Sequence, residues 1–169
     1  MGVQLIRALD SAYPYLGGLF VVSFLLFLLV SKGNFFKIGV YGGLLAIVAG
    51  VSFLSIFAID GIVKAEARHE VLGYLDGLET ADVSIDGAKV ADPGKVLDML
   101  RSMSGFWAHH SHPERRILID IRSDHGRLVI RLGRDSGRTD EYWVYYPRYY
   151  VSNIDEIDRI RTHLLDNIQ

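Results

Sequence analysis

Leu19-Phe20-Val21-Val22-Ser23-Phe24-Leu25-Leu26-Phe27-Leu28-Leu29-Val30 carries no charge and is built almost wholly from side chains that prefer hydrocarbon to water. Each Leu, Phe or Val near the middle of a membrane helix contributes roughly −0.3 to −0.6 kcal/mol to insertion. The charge-free run extends from Ser11 to Ser31, and a second follows from Ile38 to Ile59. As helices rising roughly 1.5 Å per residue, each is about 30 Å long, the thickness of a bilayer's hydrocarbon core. Lys32 and Lys37 are the only charged residues between Asp10 and Asp60, whereas charge is dense from Asp60 onward. So sharp a break marks a change of solvent from lipid to water.

Residues 1–60 are therefore expected to form a transmembrane hairpin, with spans at about 13–31 and 38–59. Tyr13 and Tyr15 fall where an interfacial aromatic belt lies, and Pro14 fits a first helical turn, whose amides lack partners. A cleaved signal peptide is the alternative for the first span. Its apolar stretch is longer than a typical signal core, and a second span follows at once. Both ends of a two-span chain lie on one side. The loop between the spans holds Lys32 and Lys37 with no acid, which places it in the cytoplasm and the rest outside, in a bacterial-type inner membrane.

In the second span, Gly39, Gly43, Ala46 and Gly50 recur at small-x-x-x-small spacing. Such residues let helix backbones approach closely and form the expected helix-packing face, with the first span and its Gly17 and Gly18 as partner, or the same span of a second copy as a homodimer. Neither span contains an ionisable residue, which argues against a proton or ion pathway.

Residues 61–78 read as a helical stalk continuing the second span, and 79–169 as a soluble α+β domain. Val83–Val90 reads as a hairpin turning at Asp86-Gly87. Asp92-Pro93 supplies an N-cap and a first-turn proline for a helix through Val96, Leu97, Leu100 and Met103 that ends near Gly105. Ile117, Ile119 and Ile121 share one strand face, with Leu118, Asp120 and Arg122 opposite. Leu128, Ile130 and Leu132 repeat the pattern after the turn Ser123-Asp124-His125-Gly126, and Tyr142–Tyr146 is a third strand of that meander. A last helix, capped by Ser152 or Asn153, would bury Ile154, Ile157, Ile160, Leu164 and Leu165. The expected order is ββαβββα, an antiparallel sheet with both helices on its apolar face.

The chain has no cysteine, which removes disulfides, thiolate metal sites and cysteine nucleophiles. His109, His110 and His112 are the candidate metal ligands, but their spacing matches no zinc pattern, so no metal or other cofactor is expected. Ser111 and Ser136 lie near histidine or aspartate without a G-x-S-x-G elbow. Nothing here points to an enzyme.

The most informative feature is arginine among aromatics. Residues 113–150 hold eight arginines, Trp143, the five tyrosines 142, 145, 146, 149 and 150, and six acids. Arg122 and Arg131 fall opposite the isoleucines. The third strand has aromatics at both parities, so either face carries an aromatic pair. Arg122, Arg131, Trp143 and Tyr145 are the expected partner-binding group, the residue types enriched at protein–protein hot spots. The net charge of −2 argues against nucleic acid. The expected function is a membrane-anchored, non-enzymatic binding or regulatory module: an accessory subunit of an envelope complex, or an immunity-type protein. The alternatives are a membrane-tethered ligand sensor and a metal-dependent hydrolase built on the histidines.

Overall fold

Two long helices come first in chain order. In a computed structural model, which describes residues 2–31, 39–103 and 111–166, α1 spans Val3–Ser31 and α2 spans Val40–Asp76. Both are long and apolar enough to cross a membrane by length and composition. The chain divides into two compact units, Met1–Val63 and Lys64–Gln169.

In the first unit, Phe20 of α1 packs on Phe53 of α2 with ring centroids 5.4 Å apart. Ser23, Ala49 and Ser52 are buried, whereas Val21, Leu25, Leu29, Ile47, Val51 and Leu54 are exposed. Helix α1 begins at Val3, ahead of the charge-free run that starts at Ser11. Ile6 and Asp10 are buried, so an amphipathic first segment extends the helix. Pro14 therefore lies inside α1 rather than in its first turn. There it removes one backbone hydrogen bond.

The second unit is built on a six-stranded antiparallel sheet. Its strands are β1 (Asp82–Ile85), β2 (Ala88–Lys89), β3 (Pro113–Ser123), β4 (Gly126–Asp135), β5 (Glu141–Tyr145) and β6 (Asp158–Arg161), in the spatial order β2-β1-β3-β4-β5-β6. The first hairpin turns at Asp86 and Gly87, whose φ angles of 49° and 86° are the positive values an Asp-Gly turn supplies. Helix α3 (Pro93–Arg101) starts where Asp92 accepts a hydrogen bond from the Lys95 amide, and it buries Val96, Leu97, Met99 and Leu100. Helix α3 touches both β1 and β6, which are distant in the strand order. The sheet thus curls around its inner face, in the sense that strand twist favours.

That inner face carries Val83, Ile85, Ile117, Ile119, Ile121, Leu128, Ile130, Leu132, Tyr142, Val144 and Ile160, all buried. The alternation read from the sequence holds through β3 and through β4 as far as Leu132. The second helix of the core is not the expected C-terminal one. Residues 64–76 of α2 belong to this unit, and Ala67, Val71 and Leu75 are fully buried at one-turn spacing. Hydrogen bonds anchor this stretch along its length. Arg68 Nε donates to Asp158 at 2.5 Å, Tyr149 donates its hydroxyl to Glu70 at 2.5 Å, and Tyr74 Oη donates to the Gly126 carbonyl at 2.8 Å. The span read as a stalk is, from Lys64 on, core of the domain.

The final segment departs from the expected helix. Among its described residues only α4 (Tyr150–Ile154) is helical, and the chain then enters β6. The Ile157 amide donates to the Val144 carbonyl at 2.8 Å, and Ile160 pairs with Tyr142. The isoleucines at 154, 157 and 160 mimic a helical stripe, but Ile154 is 51 % exposed while Ile160 is wholly buried. Pairing with β5 satisfies the backbone and buries Ile160 on the inner face. From β1 on, the order of the described elements is thus ββαβββαβ, preceded in this unit by the C-terminal part of α2.

Candidate partner-binding face

The outer face of the sheet is set by register. Across β3 and β4, Arg122 faces Arg127, Asp120 faces Val129, Leu118 faces Arg131 and Arg116 faces Gly133. Arg131 faces Tyr145 on β5, Gly133 faces Trp143, and Trp143 faces Arg159 on β6. Arg122, Arg131, Trp143 and Tyr145 therefore do share one face, opposite the isoleucines. They do not share one environment.

Over β5 and β6 the face is filled by the domain's own side chains. Arg159, 1 % exposed, donates to Glu141 at 2.9 Å and to Glu156 at 3.2 Å, and its guanidinium carbon lies 4.2 Å above the Trp143 ring. Glu141 also accepts from Arg161 at 3.2 Å. Asp135 accepts hydrogen bonds from Ser111 Oγ at 2.5 Å, Trp143 Nε1 at 2.7 Å and the amides of Gly137 and Arg138 at 2.7 and 2.9 Å. Burial alone would raise the Asp135 carboxyl, but these four donors outweigh it and hold the group down at about 2. Pro113 crosses β4 at Gly133, where a β-carbon would lie 2.6 Å from the proline Cβ, so only glycine fits. Tyr145 is 3 % exposed, with Arg116 stacked 5.5 Å from its ring centre, and burial pushes its hydroxyl up to about 12. Arg131 donates to Asn153 of α4. Trp143 and Tyr145 are thus spent on internal packing and offer little to an outside molecule.

Over β3 and the start of β4 the face is open. Arg122 and Arg127 have 66 % and 57 % of their side chains exposed, and both grip Asp120, which is 13 % exposed. Arg127 does so with Nε at 2.8 Å and Nη2 at 3.1 Å, Arg122 with Nη2 at 3.0 Å and Nε at 3.3 Å. The hydrogen bonds from Arg127, then those from Arg122, outweigh burial and hold the Asp120 carboxyl below its ordinary range. Leu118 beside them is 39 % exposed. On β1 and β2, Asp82 pairs with Lys89 at 2.6 Å. A shallow depression of about 610 Å³ adjoins Arg122, bounded by Thr80, Ala81, Asp82, Ser123 and Asp124. Arg127, Asp120 and Leu118 were not among the expected partner-binding residues. The signal for Arg127 was present, because a tight turn at 124–125 sets it opposite Arg122.

Of the histidines, His109 and His110 lie outside the described residues. His112 is exposed, and its Nδ1 lies 3.3 Å from Ser136 Oγ. Among the described residues no three His, Asp or Glu side chains come together as a metal site. In the first unit, Gly39, Gly43 and Gly50 have open space where a side chain would begin. The buried seam runs instead through Ala49 and Ser52. Ala46 and Gly50 line an apolar groove of about 340 Å³ with Phe20, Phe24, Phe27 and Phe53. Compared with protein-family models, with curated proteins and with solved structures, the chain matches none of them.

Proposed function

We propose that this protein is a membrane-anchored, non-enzymatic binding module that meets a protein partner through the open β3–β4 face. One observation carries the reading. The outer face is filled by an internal ionic network over β5 and β6, yet over β3 and β4 it leaves Leu118, Arg116, Arg122 and Arg127 exposed side by side. Exposed arginines around an apolar centre are the composition of an interface.

The anchor rests on the exposed apolar surface of α1 and α2. Leu29 and Leu54 are 68 % and 69 % exposed, where the core helix of a soluble protein would be covered. In a bacterial-type inner membrane, the loop with Lys32 and Lys37 would face the cytoplasm and the domain the other side. Carbonate at pH ~11 strips peripheral proteins and leaves spanning ones in the membrane pellet. Release into the supernatant would show that α1 and α2 do not span a membrane. A reporter fused after Gln169 reads the side of the membrane.

The binding role is tested by Arg122→Gln with Arg127→Gln. The pair should abolish co-purification of the detergent-solubilised protein's partner without lowering its thermal transition by more than a few degrees. Undiminished co-purification would move the interface elsewhere. A second reading, a membrane-tethered sensor, is favoured by the continuity of α2, one helix from the apolar run at Val40 to the domain core at Leu75. Breaking that continuity with Gly61→Pro separates the two: a sensor loses its output, whereas a simple tether keeps its partner.

A further inference from the structure

We infer that α4 rests on the membrane surface, with Ile154 and Tyr150 set among the lipid headgroups. This rests on the reading of α2 as a membrane span and goes beyond the partner-binding reading.

Helix α4 has two unlike sides. Val151 and Ser152 are buried, and Ser152 donates its hydroxyl to the Tyr146 carbonyl at 2.5 Å. Tyr150 and Ile154 are four residues apart, so they share one side of the helix, and they are 48 % and 51 % exposed. Among the described residues from Lys64 on, the other large apolar side chains so exposed are Leu118 and Leu164. Two of four therefore fall together on a helix of five residues.

Two contacts with α2 fix where that side lies. Tyr149, just before α4, donates to Glu70 at 2.5 Å, and Asp155, just after it, accepts from Lys64 Nζ at 2.6 Å. Glu70 is six residues past Lys64, about 9 Å along a helix at roughly 1.5 Å per residue. Through α4 the chain thus runs back along α2 toward Lys64, and Ile154 comes nearer the apolar run than Tyr150 does. Lys64 is five residues past Ile59, where the second charge-free run ends, and α2 is helical throughout. Those five residues are about 7.5 Å of helix. A bilayer of roughly 40–45 Å around a hydrocarbon core of roughly 30 Å has a headgroup layer about 5–7.5 Å deep on each side. Ile154, next to the residue that holds Lys64, is placed at that depth. Tyrosine with an apolar ring and a polar tip favours the same layer, and a short apolar side facing it is how a surface helix meets lipid.

The charges around α4 are balanced. Lys64 pairs with Asp155, Arg68 with Asp158, Arg148 with Glu70 and Arg159 with Glu156. Arg131, bonded to Asn153, and Glu66 on α2 add one charge of each sign. The contact is therefore made by apolar side chains and needs no anionic lipid.

The chain has no cysteine, so single spin labels can be placed at Ile154→Cys, His125→Cys and Ile47→Cys in the full-length protein in phosphatidylcholine nanodiscs. His125 marks water. It is exposed in the turn that Tyr74 holds, ten residues farther along α2 than Lys64. Collisions with oxygen, which dissolves in lipid, are compared with collisions with a water-soluble nickel chelate. The ratio at Ile154 should exceed that at His125 by about threefold or more, as for a side chain at the headgroup boundary. Equal ratios at Ile154 and His125 would overturn the proposal. The Ile47 label keeps the two levels apart. A lipid ratio at Ile47 with a water ratio at Ile154 retains the span and removes the surface contact, whereas a water ratio at Ile47 removes the span and the proposal with it.

Discussion

The Arg159 guanidinium lies 4.2 Å above the ring of Trp143, its cross-strand neighbour, and between the carboxylates of Glu141 and Glu156. Together with Arg161, which also donates to Glu141, this side chain joins β6 to β5 on the outer face. Removing one partner of a buried ionic cluster leaves the others uncompensated, at a cost of about 3–5 kcal/mol. Arg159→Met should therefore destabilise the folded domain by that order in urea unfolding. An exposed arginine such as Arg122 changed to Met should shift it by less than about 1 kcal/mol. Comparable effects at the two positions would show that Arg159 is not the fastener of β6.

Asp135 sets an acid limit. Its folded value of about 2 lies below the ordinary 3.8, so it contributes stability that is fully present above pH ~4. That contribution is lost as pH falls from 3.8 through the folded value of about 2, because the unfolded chain takes up the proton first. The shift corresponds to about 2 kcal/mol. The unfolding free energy should fall between pH 4 and 2, and Asp135→Asn should flatten that part of the profile while lowering stability at neutral pH. A profile unchanged in Asp135→Asn would assign the acid sensitivity to other carboxylates.

The C-terminal part of α2 should be indispensable to the domain. Ala67, Val71 and Leu75 are fully buried, and Arg101 donates to the Leu75 and Leu78 carbonyls at 2.7 and 2.9 Å. A chain beginning at Glu79 should fail to unfold cooperatively, whereas one beginning at Lys64 should show a sharp thermal transition. Leu75→Ala in the longer chain should cost about 2–5 kcal/mol. A cooperative transition from the shorter chain would show that β1–β6 and α3 suffice.

Ile47 tells lipid from water. It is 63 % exposed in the middle of the second charge-free run. On the surface of a soluble protein, Ile47→Arg would be harmless. In a bilayer it would cost about 2.5–3.5 kcal/mol of insertion. The variant should therefore lower the membrane-integrated fraction in a carbonate-wash assay, and an unchanged fraction would argue against a span at Ile47.

The sequence by itself determined what depends on near neighbours. Two charge-free runs mark the apolar helices, because solvent preference sums along a segment whatever the rest of the chain does. The Asp86-Gly87 turn and the Asp92-Pro93 helix start are local stereochemistry, and period-two alternation assigned Leu118, Asp120, Arg122 and Arg131 to the face opposite the isoleucines. Tertiary structure decided what depends on distant partners. Asp158–Arg161 became a strand because β5 offered an edge, although isoleucines three apart suggest a helix. Residues 64–76 of α2 became core because a curled sheet needed a helix to cover it. Trp143 and Tyr145 were taken out of reach by Arg159, Asp135 and Arg116, which leaves Arg122 and Arg127 on the open face. Long-range pairing alone made these choices, since a four-residue strand or a buried arginine has no local signature that outweighs its competing reading.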